Sequence, residues 1–530
     1  MIPTQKSRRS YLKSAFQSLS IPALTSLGLV GCTSQPSSSR DIRMGLTGRP
    51  QMLDPRKATD ALSTRINRLI YRQLIDFDEQ FLPKPDLAEW QEVSAKQYRL
   101  TLIEESFFHD SQTPLTAEDV ASTYQSVLNP ELGSAHRGSL LNIEKIQVLN
   151  PKQLDFFLKE EDALFIGRLV IGIVPKSLIE KDHPFQKQPI GSGACRFLEQ
   201  SPQKLRLQRL ADQQELAFFA VKDATVRVLK LRNQELDIIQ NDLSPELVHY
   251  CEQQSDLSVL WQKGTNFGYI GFNFEDPLLS QFALRKAIAV GIDRPAVIQA
   301  IFKGHARLAQ ALLTPEHWAG INNLMDYAFD PAESKRLVKQ VIEACLQNPK
   351  MANFVKFQTD ANGKQQAYLE LSYKTSNDPT RIRLATIYQA QLKKVGIQLK
   401  IQSYDWGTFY NDIKKGRFQL YSLAWVGVKS PDIFQYVFHS NALPPKGANR
   451  GRFIDAQSDQ LIDQALQNRT LSGQASLYRK LQTRLQQELA AMPLWYEDQY
   501  AVVSDRIRGY QLYTDGRYDG LLTTTLVTQS

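Results

Sequence analysis

Phe108-His109-Asp110-Ser111-Gln112-Thr113-Pro114-Leu115-Thr116-Ala117-Glu118-Asp119-Val120 is the stretch on which the reading of the fold turns. Thr116 followed three residues later by Asp119 makes a capping box, which gives partners to backbone N–H groups that a first helical turn leaves unsatisfied. Val120, Tyr124, Val127 and Leu128 then share one helical face, so an amphipathic helix begins here. Upstream, Tyr98, Leu100 and Leu102 alternate with Arg99 and Thr101, as in a half-buried strand. Downstream, Asp293 caps a helix with Pro295 in its first turn, Val297, Ala300 and Ile301 supply its buried stripe, and Gly304 stops it. Leu477, Leu481, Leu485 and Leu489 recur every four residues in a further helix expected to end by Pro493, and Asn362-Gly363 marks a hairpin. Strand-like and helix-like segments alternate along the whole chain, which predicts an α/β protein. Such stripes build cores and name no function.

The order of several shorter strings carries more. Leu53-Asp54-Pro55 precedes Ala58-Thr59-Asp60, then come Ile70-Tyr71-Arg72-Gln73-Leu74-Ile75-Asp76-Phe77-Asp78 and Pro85-Asp86-Leu87-Ala88-Glu89-Trp90. After the opening stretch follow Pro189-Ile190-Gly191-Ser192-Gly193-Ala194-Cys195, Gly271-Phe272-Asn273, Leu284-Arg285-Lys286-Ala287-Ile288-Ala289 with Ile292-Asp293-Arg294, Val395-Gly396-Ile397, and Trp425-Val426-Gly427 with Pro431-Asp432. In this order, from about residue 42 to the C-terminus, the chain resembles the oligopeptide, dipeptide and nickel class of bacterial extracellular solute-binding proteins, family 5. Ser111 stands where the family signature has glycine, and Ala194 and Cys195 replace a proline and a tyrosine.

The resemblance implies a two-lobed α/β periplasmic-binding-protein fold of the large, three-subdomain class, closing on a ligand in the cleft between lobes. It places lobe I at 41–270 with 490–530 and lobe II at 271–489, joined by crossings at Tyr269–Phe274 and Leu494–Val503. It implies a binder rather than an enzyme, without cofactor, monomeric, whose partners are a small peptide or peptide-like solute and the permease subunits of an ABC importer. Peptide-binding members carry an acid just after the Trp-x-Gly string to pair with the ligand's α-amino group; here Val428 takes that place. A buried ammonium without a counter-charge is costly, so three readings stay open: a peptide in another pose with Asp432, Asp405 or Asp60 supplying the charge, a different solute such as a nickel, haem or opine-type ligand, or a shifted alignment of this loop. Trp425 and Gly427 are expected to touch ligand, one by its indole and the other by close backbone approach. Lys374, Thr375 and Asn377 resemble a loop that meets the ligand's far end, and Arg49, Thr59 and Asp60 are candidates on lobe I. Phe267 and Tyr404 read as core.

The N-terminus predicts where the chain works. Ser7-Arg8-Arg9-Ser10-Tyr11-Leu12-Lys13 resembles the twin-arginine export motif, and the uncharged stretch Ala15–Val30 is too short and too polar to fill a bilayer. Leu29-Val30-Gly31-Cys32 resembles a lipobox, so residues 1–31 are expected to be a cleaved signal peptide, Cys32 to be acylated as by palmitate, and 32–40 to be a serine-rich tether to a bacterial membrane, on its periplasmic or cell-surface side.

Composition excludes several classes. The net charge of +8 falls to about +4 without Lys6, Arg8, Arg9 and Lys13, and no run of five basic residues suggests a nucleic-acid partner. His109, His136, His183, His249, His305, His317 and His439 are scattered with no pair at metal-ligand spacing. Cys195, Cys251 and Cys345 form an odd set read as three isolated thiols, with one disulfide and a free thiol still open. No Gly-x-Ser-x-Gly, His-Glu-x-x-His or Walker string is present, so catalytic and metal residues are expected to be none. A sensor or surface interaction protein using the same closing fold is the remaining rival.

Overall fold

A computed structural model describes residues 40–110, 113–359 and 363–527. Arg8, Arg9, the apolar stretch, Cys32 and residues 33–39 of the tether lie outside the described residues. Among the described residues no helix is long and apolar enough to cross a membrane.

One mixed sheet of 12 strands runs through the molecule. Its two longest members, Leu257–Phe272 and Met492–Ser504, pair antiparallel from Leu257↔Ser504 to Ile270↔Met492. The strands on either side of this pair belong to different cores. Toward one edge lie Ile238–Gln240, Ile42–Leu46, Glu215–Ala220, Lys204–Arg209 and Cys195–Gln200, in that order. Toward the other lie Leu420–Trp425, Gln365–Ser376 and Val355–Thr359, with Ile397–Tyr404 also on Gln365–Ser376. The first lobe packs Met44, Ile66, Leu207, Phe218 and Val503 in one core. The second packs Ile288, Val341, Leu371 and Tyr388 in one core and Phe409, Leu423, Phe434, Tyr478 and Leu481 in another. The fold is therefore two-lobed, with the long antiparallel pair passing from lobe to lobe.

The opening stretch folds as its pattern predicts. Thr116 donates from its backbone N–H (2.8 Å) and hydroxyl (3.0 Å) to Asp119, and the helix Ala117–Leu128 buries Val120, Tyr124 and Val127. It packs beside a separate antiparallel sheet formed by Ala88–Ser94, Gln97–Leu102, Gln153–Leu158 and Ile143–Asn150, whose core holds Leu100, Phe156 and Phe165. Tyr98, Leu100 and Leu102 are the inward residues of one of those strands. This third body gives the first lobe its second subdomain.

Asp293 caps Arg294–Phe302 through the Ala296 N–H (3.0 Å), and the helix stops at Lys303 and Gly304, both at positive φ. Val355–Thr359 and Gln365–Ser376 form the expected antiparallel pair, although Asn362 lies outside the described residues. The leucine helix differs. It spans Leu471–Gln487 and ends at Leu489, which turns into the left-handed region (φ 46°), so Pro493 sits in the following strand and terminates nothing. Cys195, Cys251 and Cys345 are all free and buried, and burial pushes the Cys195 thiol up to about 12.

Candidate ligand-binding site

Parallel strands aim their carboxyl ends at one place. Ile42–Leu46 runs parallel to Ile238–Gln240, and Gln365–Ser376 parallel to Leu420–Trp425. Residues at those ends, Thr47 and Asn241-Asp242 from the first lobe with Thr375, Ala424 and Val426 from the second, line a cavity of about 680 Å³ between the lobes. Open α/β sheets place ligands at this end because the loops there are free to diverge, and the volume falls in the roughly 300–1,000 Å³ range of small-molecule sites.

The crossing strands supply the floor. Trp261, Asn266 and Gly268 from one, and Leu494, Trp495, Glu497, Asp498 and Tyr500 from the other, face the cavity. Their register breaks between Gln262 and Asn266, where Gly264 lies so close to the partner strand that a Cβ would meet the Glu497 carbonyl at 2.0 Å. Two helices open on the same space: Asp60 caps Ala61–Ile70 by accepting from the Ser63 N–H (2.9 Å), and Asp378 caps Pro379–Lys393 by accepting from the Arg381 N–H (3.0 Å).

The charges in this cavity are incompletely paired. Among the described residues the Glu497 carboxylate accepts only the Trp495 indole N–H at 3.3 Å. Asp242 holds no ion pair within 4.0 Å among the described residues, and neither does the Arg381 guanidinium. Burial pushes the Glu497 carboxyl up, against the Trp495 hydrogen bond and the field of Arg381. Desolvation by the surrounding protein raises Asp242 likewise, against Arg65 and Arg227, although the residue keeps an exposed face. Asn241 and Asp242 both sit at φ 58°, an unusual pair of left-handed residues. Asn241 is pinned there, donating to Gln499 Oε1 (2.6 Å) and accepting from the Tyr500 N–H (3.1 Å).

The lobes touch around the rim. Arg168 of the first lobe donates to Asp432 of the second (2.6 Å), and Lys429 reaches across to Asp515 (2.8 Å) beside the Phe77 ring. His317 stacks on Phe81 (5.5 Å) and accepts no charge: burial pushes it down to about 4. The Trp318 N–H donates to the Gln80 carbonyl (3.0 Å), and Arg383 pairs with Glu246 at the mouth.

The residues singled out from sequence are dispersed. Asp60 and Thr375 line the cavity, Thr375 being almost fully buried. Trp425 lies under the Arg450 guanidinium (4.7 Å) and beside a separate small cavity with Tyr269, Tyr421 and Phe267. Gly427 has open space about it and φ 68°, and Val428 packs on the Phe409–Tyr478 core. Lys374 is buried and bonded to Asp412 (2.6 Å) over the Tyr404 ring. Asn377 is exposed, its N–H on the Tyr404 carbonyl. Thr59 is exposed, and Arg49 lines a shallow recess with Gln200 and Lys204. Asp405 caps Trp406–Lys414 through the Thr408 N–H (3.1 Å), and Asp432 is taken by Arg168. Of the aromatics read as core, Phe267 is buried and Tyr404 is half-buried against the same cluster. Sequence reasoning passed over Glu497, Asp242 and Arg381. Only Arg381 had a local signal, three residues after a helix cap. Among the described residues no group of three or more His, Cys, Asp or Glu could hold a metal ion.

The chain matches known proteins along most of its length. The sequence model described as bacterial extracellular solute-binding proteins, family 5 Middle, matches residues 83–443. The dipeptide-binding protein of Escherichia coli (strain K12) is 24% identical, covering 89% of this chain and 92% of its own. Among solved structures, the ABC transporter substrate binding protein CtaP from Listeria monocytogenes superposes with a TM-score of 0.80 at 22% identity, covering 92% of this chain and 99% of that one. NikZ from Campylobacter jejuni, solved in complex with Ni(L-His), reaches a TM-score of 0.75 at 21% identity over 92% of this chain and 99% of its own. With this match over most of its length and this two-lobed fold, the chain belongs to family 5 of the bacterial extracellular solute-binding proteins.

Proposed function

We propose that this protein is the solute-binding component of an ABC importer, that it captures a short peptide between its lobes, and that it performs no chemistry on it. The observation that carries the reading is the cavity astride two paired crossing strands, lined by unpaired charges of both signs and by five aromatic rings, Trp261, Phe302, Tyr373, Trp495 and Tyr500. Aromatic rings give contact area at small entropic cost, and opposite charges set a ligand's direction. The relatives named as dipeptide- and di/tripeptide-binding proteins support the same solute class.

The pivot we assign is the register break at 263–265 with Asp498 opposite, where Gly264 accepts both strands at close range. The first lobe then runs to about residue 262 and resumes near 499. Rotation there lets two rigid cores part and close on the ligand, and the closed form is what a permease distinguishes from the open one.

Export by the Arg8-Arg9 signal and acylation at Cys32 complete the proposal: a tether raises the protein's local concentration beside the permease. Thermal-shift titration with di- to pentapeptides tests the binding. A rise in melting temperature with any of them is expected, and silence across the panel rejects the peptide reading. Cys32→Ser is expected to release soluble protein that still binds; retention through carbonate washes rejects the anchor.

A second reading has one observation in its favour, the apolar Val428 where peptide binders carry an acid. A metal chelate or opine-type ligand brings its own metal ligands or charges and needs no acid there. Adding nickel with histidine to the same panel separates the two.

A further inference from the structure

A peptide held in a closed cavity needs a counter-charge for its α-ammonium. The loop after Trp425 does not offer one. Val428 is apolar and packed, Lys429 is a cation committed to Asp515, and Asp432 is bonded to Arg168 across the cleft. Within the cavity most carboxylates are also engaged: Asp60 and Asp378 cap helices, Glu252 contacts His249 (3.3 Å), and Asp498 meets the Gly264 N–H (3.4 Å) and stands 3.9 Å from Arg307. Two remain. Among the described residues Glu497 has a single indole donor, and Asp242 has no cation within 4.0 Å. Like charges facing one enclosed space repel each other, and a cation placed between them relieves both.

The same space is lined by Arg381, in the first turn of Pro379–Lys393, with no carboxylate within 4.0 Å among the described residues. A helix N-terminus adds positive potential there, and a guanidinium presents two parallel donors to a carboxylate. The cavity thus carries Glu497 on the crossing strand and Asp242 on the first lobe without ion pairs among the described residues, and Arg381 on the second lobe, with Arg65 of the first lobe and the capping Asp378 also in its lining.

We propose that Glu497, supported by Asp242, receives the ligand's α-ammonium and that Arg381 receives its carboxylate, so that the amino-terminal anchor stands on the crossing strand and not on the loop after Trp425. The inference rests on the peptide reading above and narrows it to short peptides with both termini free. It also ties recognition to motion. Glu497 lies at the edge of the register break, where a Cβ on Gly264 would meet its carbonyl at 2.0 Å, so its backbone belongs to the pivot we assign. Asp242 belongs to the first lobe and Arg381 to the second, and a ligand spanning them holds the lobes together.

The test uses native mass spectrometry with a randomised di- and tripeptide library, the same library N-acetylated, and the same library C-amidated. The wild-type chain is expected to favour free over acetylated amines by about 100-fold, the loss that follows from stranding a buried charge. Glu497→Gln is expected to lose that preference to within about threefold, and Arg381→Met the preference for carboxylate over amide. Glu497→Asp, which keeps the charge one methylene back, is expected to retain the preference with weaker binding, which separates loss of charge from loss of fold. If Glu497→Gln still rejects acetylated peptides as the wild type does, the anchor lies elsewhere and the peptide reading stands. If the wild type ignores all three libraries, the peptide reading falls and the anchor with it.

Discussion

At the seam of the first lobe, His109 sits against Gly191 and Gly193: its N–H donates to the Gly191 carbonyl (3.0 Å) and its Nε2 meets the Gly193 carbonyl (2.9 Å). The Gly193 N–H in turn donates to Ile70 at the end of its helix (2.7 Å), and Phe108 is buried beside them. Burial lowers the His109 pKa, against the Gly193 hydrogen bond, so the ring is neutral and Nε2 carries the donated proton. In the cavity the situation is reversed. Glu497, Asp242 and Arg381 line it with no ion pair within 4.0 Å among the described residues, Glu497 and Arg381 half-buried and Asp242 exposed. At the seam, backbone and ring hydrogen bonds tie the strings together although His109 Nδ1 and Ser192 Oγ stay without a partner among the described residues; in the cavity it is whole charges that lack an ion pair. The two regions therefore teach different lessons about the motifs: two of the strings tie the first lobe's seam together, while Glu497, Asp242 and Arg381 belong to no string, and of the quoted strings only Asp60 and Val426 reach the cavity.

The largest expected effect attacks the seam. A Cβ at Gly191 would lie 2.2 Å from the Ile70 carbonyl oxygen and 2.7 Å from the Tyr71 ring, and the backbone there has no room to yield. Gly191→Ala is expected to cost more than about 3 kcal/mol, beyond ordinary overpacking, read as a lower midpoint in urea. A loss under about 1 kcal/mol would show the seam to be adjustable and remove the contrast.

This contrast explains what was legible in the sequence. Capping at Thr116 and Asp293, alternation at Tyr98–Leu102 and the ordered strings depend on neighbours a few residues apart, so pattern reveals them. The leucine helix was legible except at its end, because a left-handed Leu489 has no residue-type signal. The cavity depends on residues 242, 381 and 497, which come together only when the sheet is assembled. Lys374 shows the same limit from the other direction. Its place in the chain suggested a ligand contact, but a buried lysine takes the nearest carboxylate, and Asp412 is 2.6 Å away on the helix Trp406–Lys414.

Lys374→Met sharpens the comparison next. It strands Asp412, whose remaining cation, Arg417, is 3.9 Å off and exposed. Stability is expected to fall by about 2 kcal/mol, less than for a fully buried pair because water reaches Asp412. Peptide affinity, measured calorimetrically, is expected to stay within about threefold. A large loss of affinity with unchanged stability would return Lys374 to the site.

The rim latch comes third. Lys429→Met removes the contact with Asp515 without touching either core, so the melting temperature is expected to hold while apparent peptide affinity drops about tenfold, roughly 1.4 kcal/mol taken from the closed form. The latch also has a pH window. Burial alone would raise Asp515, but Lys429 and Arg517 outweigh it and hold the carboxyl at about 2. A depressed folded-state pKa stabilises above the ordinary aspartate value of about 3.9 and loses that stabilisation as pH falls toward 2. Closure, followed by small-angle scattering with ligand bound, is expected to persist down to about pH 4 and to weaken below it.

The smallest expected effect is the one that bears most directly on the cavity. Val428→Asp restores an acid at the position where peptide-binding members of the family use one. If the chain had merely lost its anchor, restoring it would gain affinity for free-amine peptides by ten- to a hundredfold. With the ammonium seated at Glu497, the new carboxylate gains little, because Val428 packs on the second-lobe core and Lys429, its neighbour, already turns to Asp515. The expected change is within about threefold, and the same substitution placed on Glu497→Gln is expected to rescue binding only in part, since the Asp242 side of the cavity would still lack its partner. A full rescue by Val428→Asp would mean that the loop and the crossing strand reach the same ammonium, and that the two anchors are alternatives for one seat.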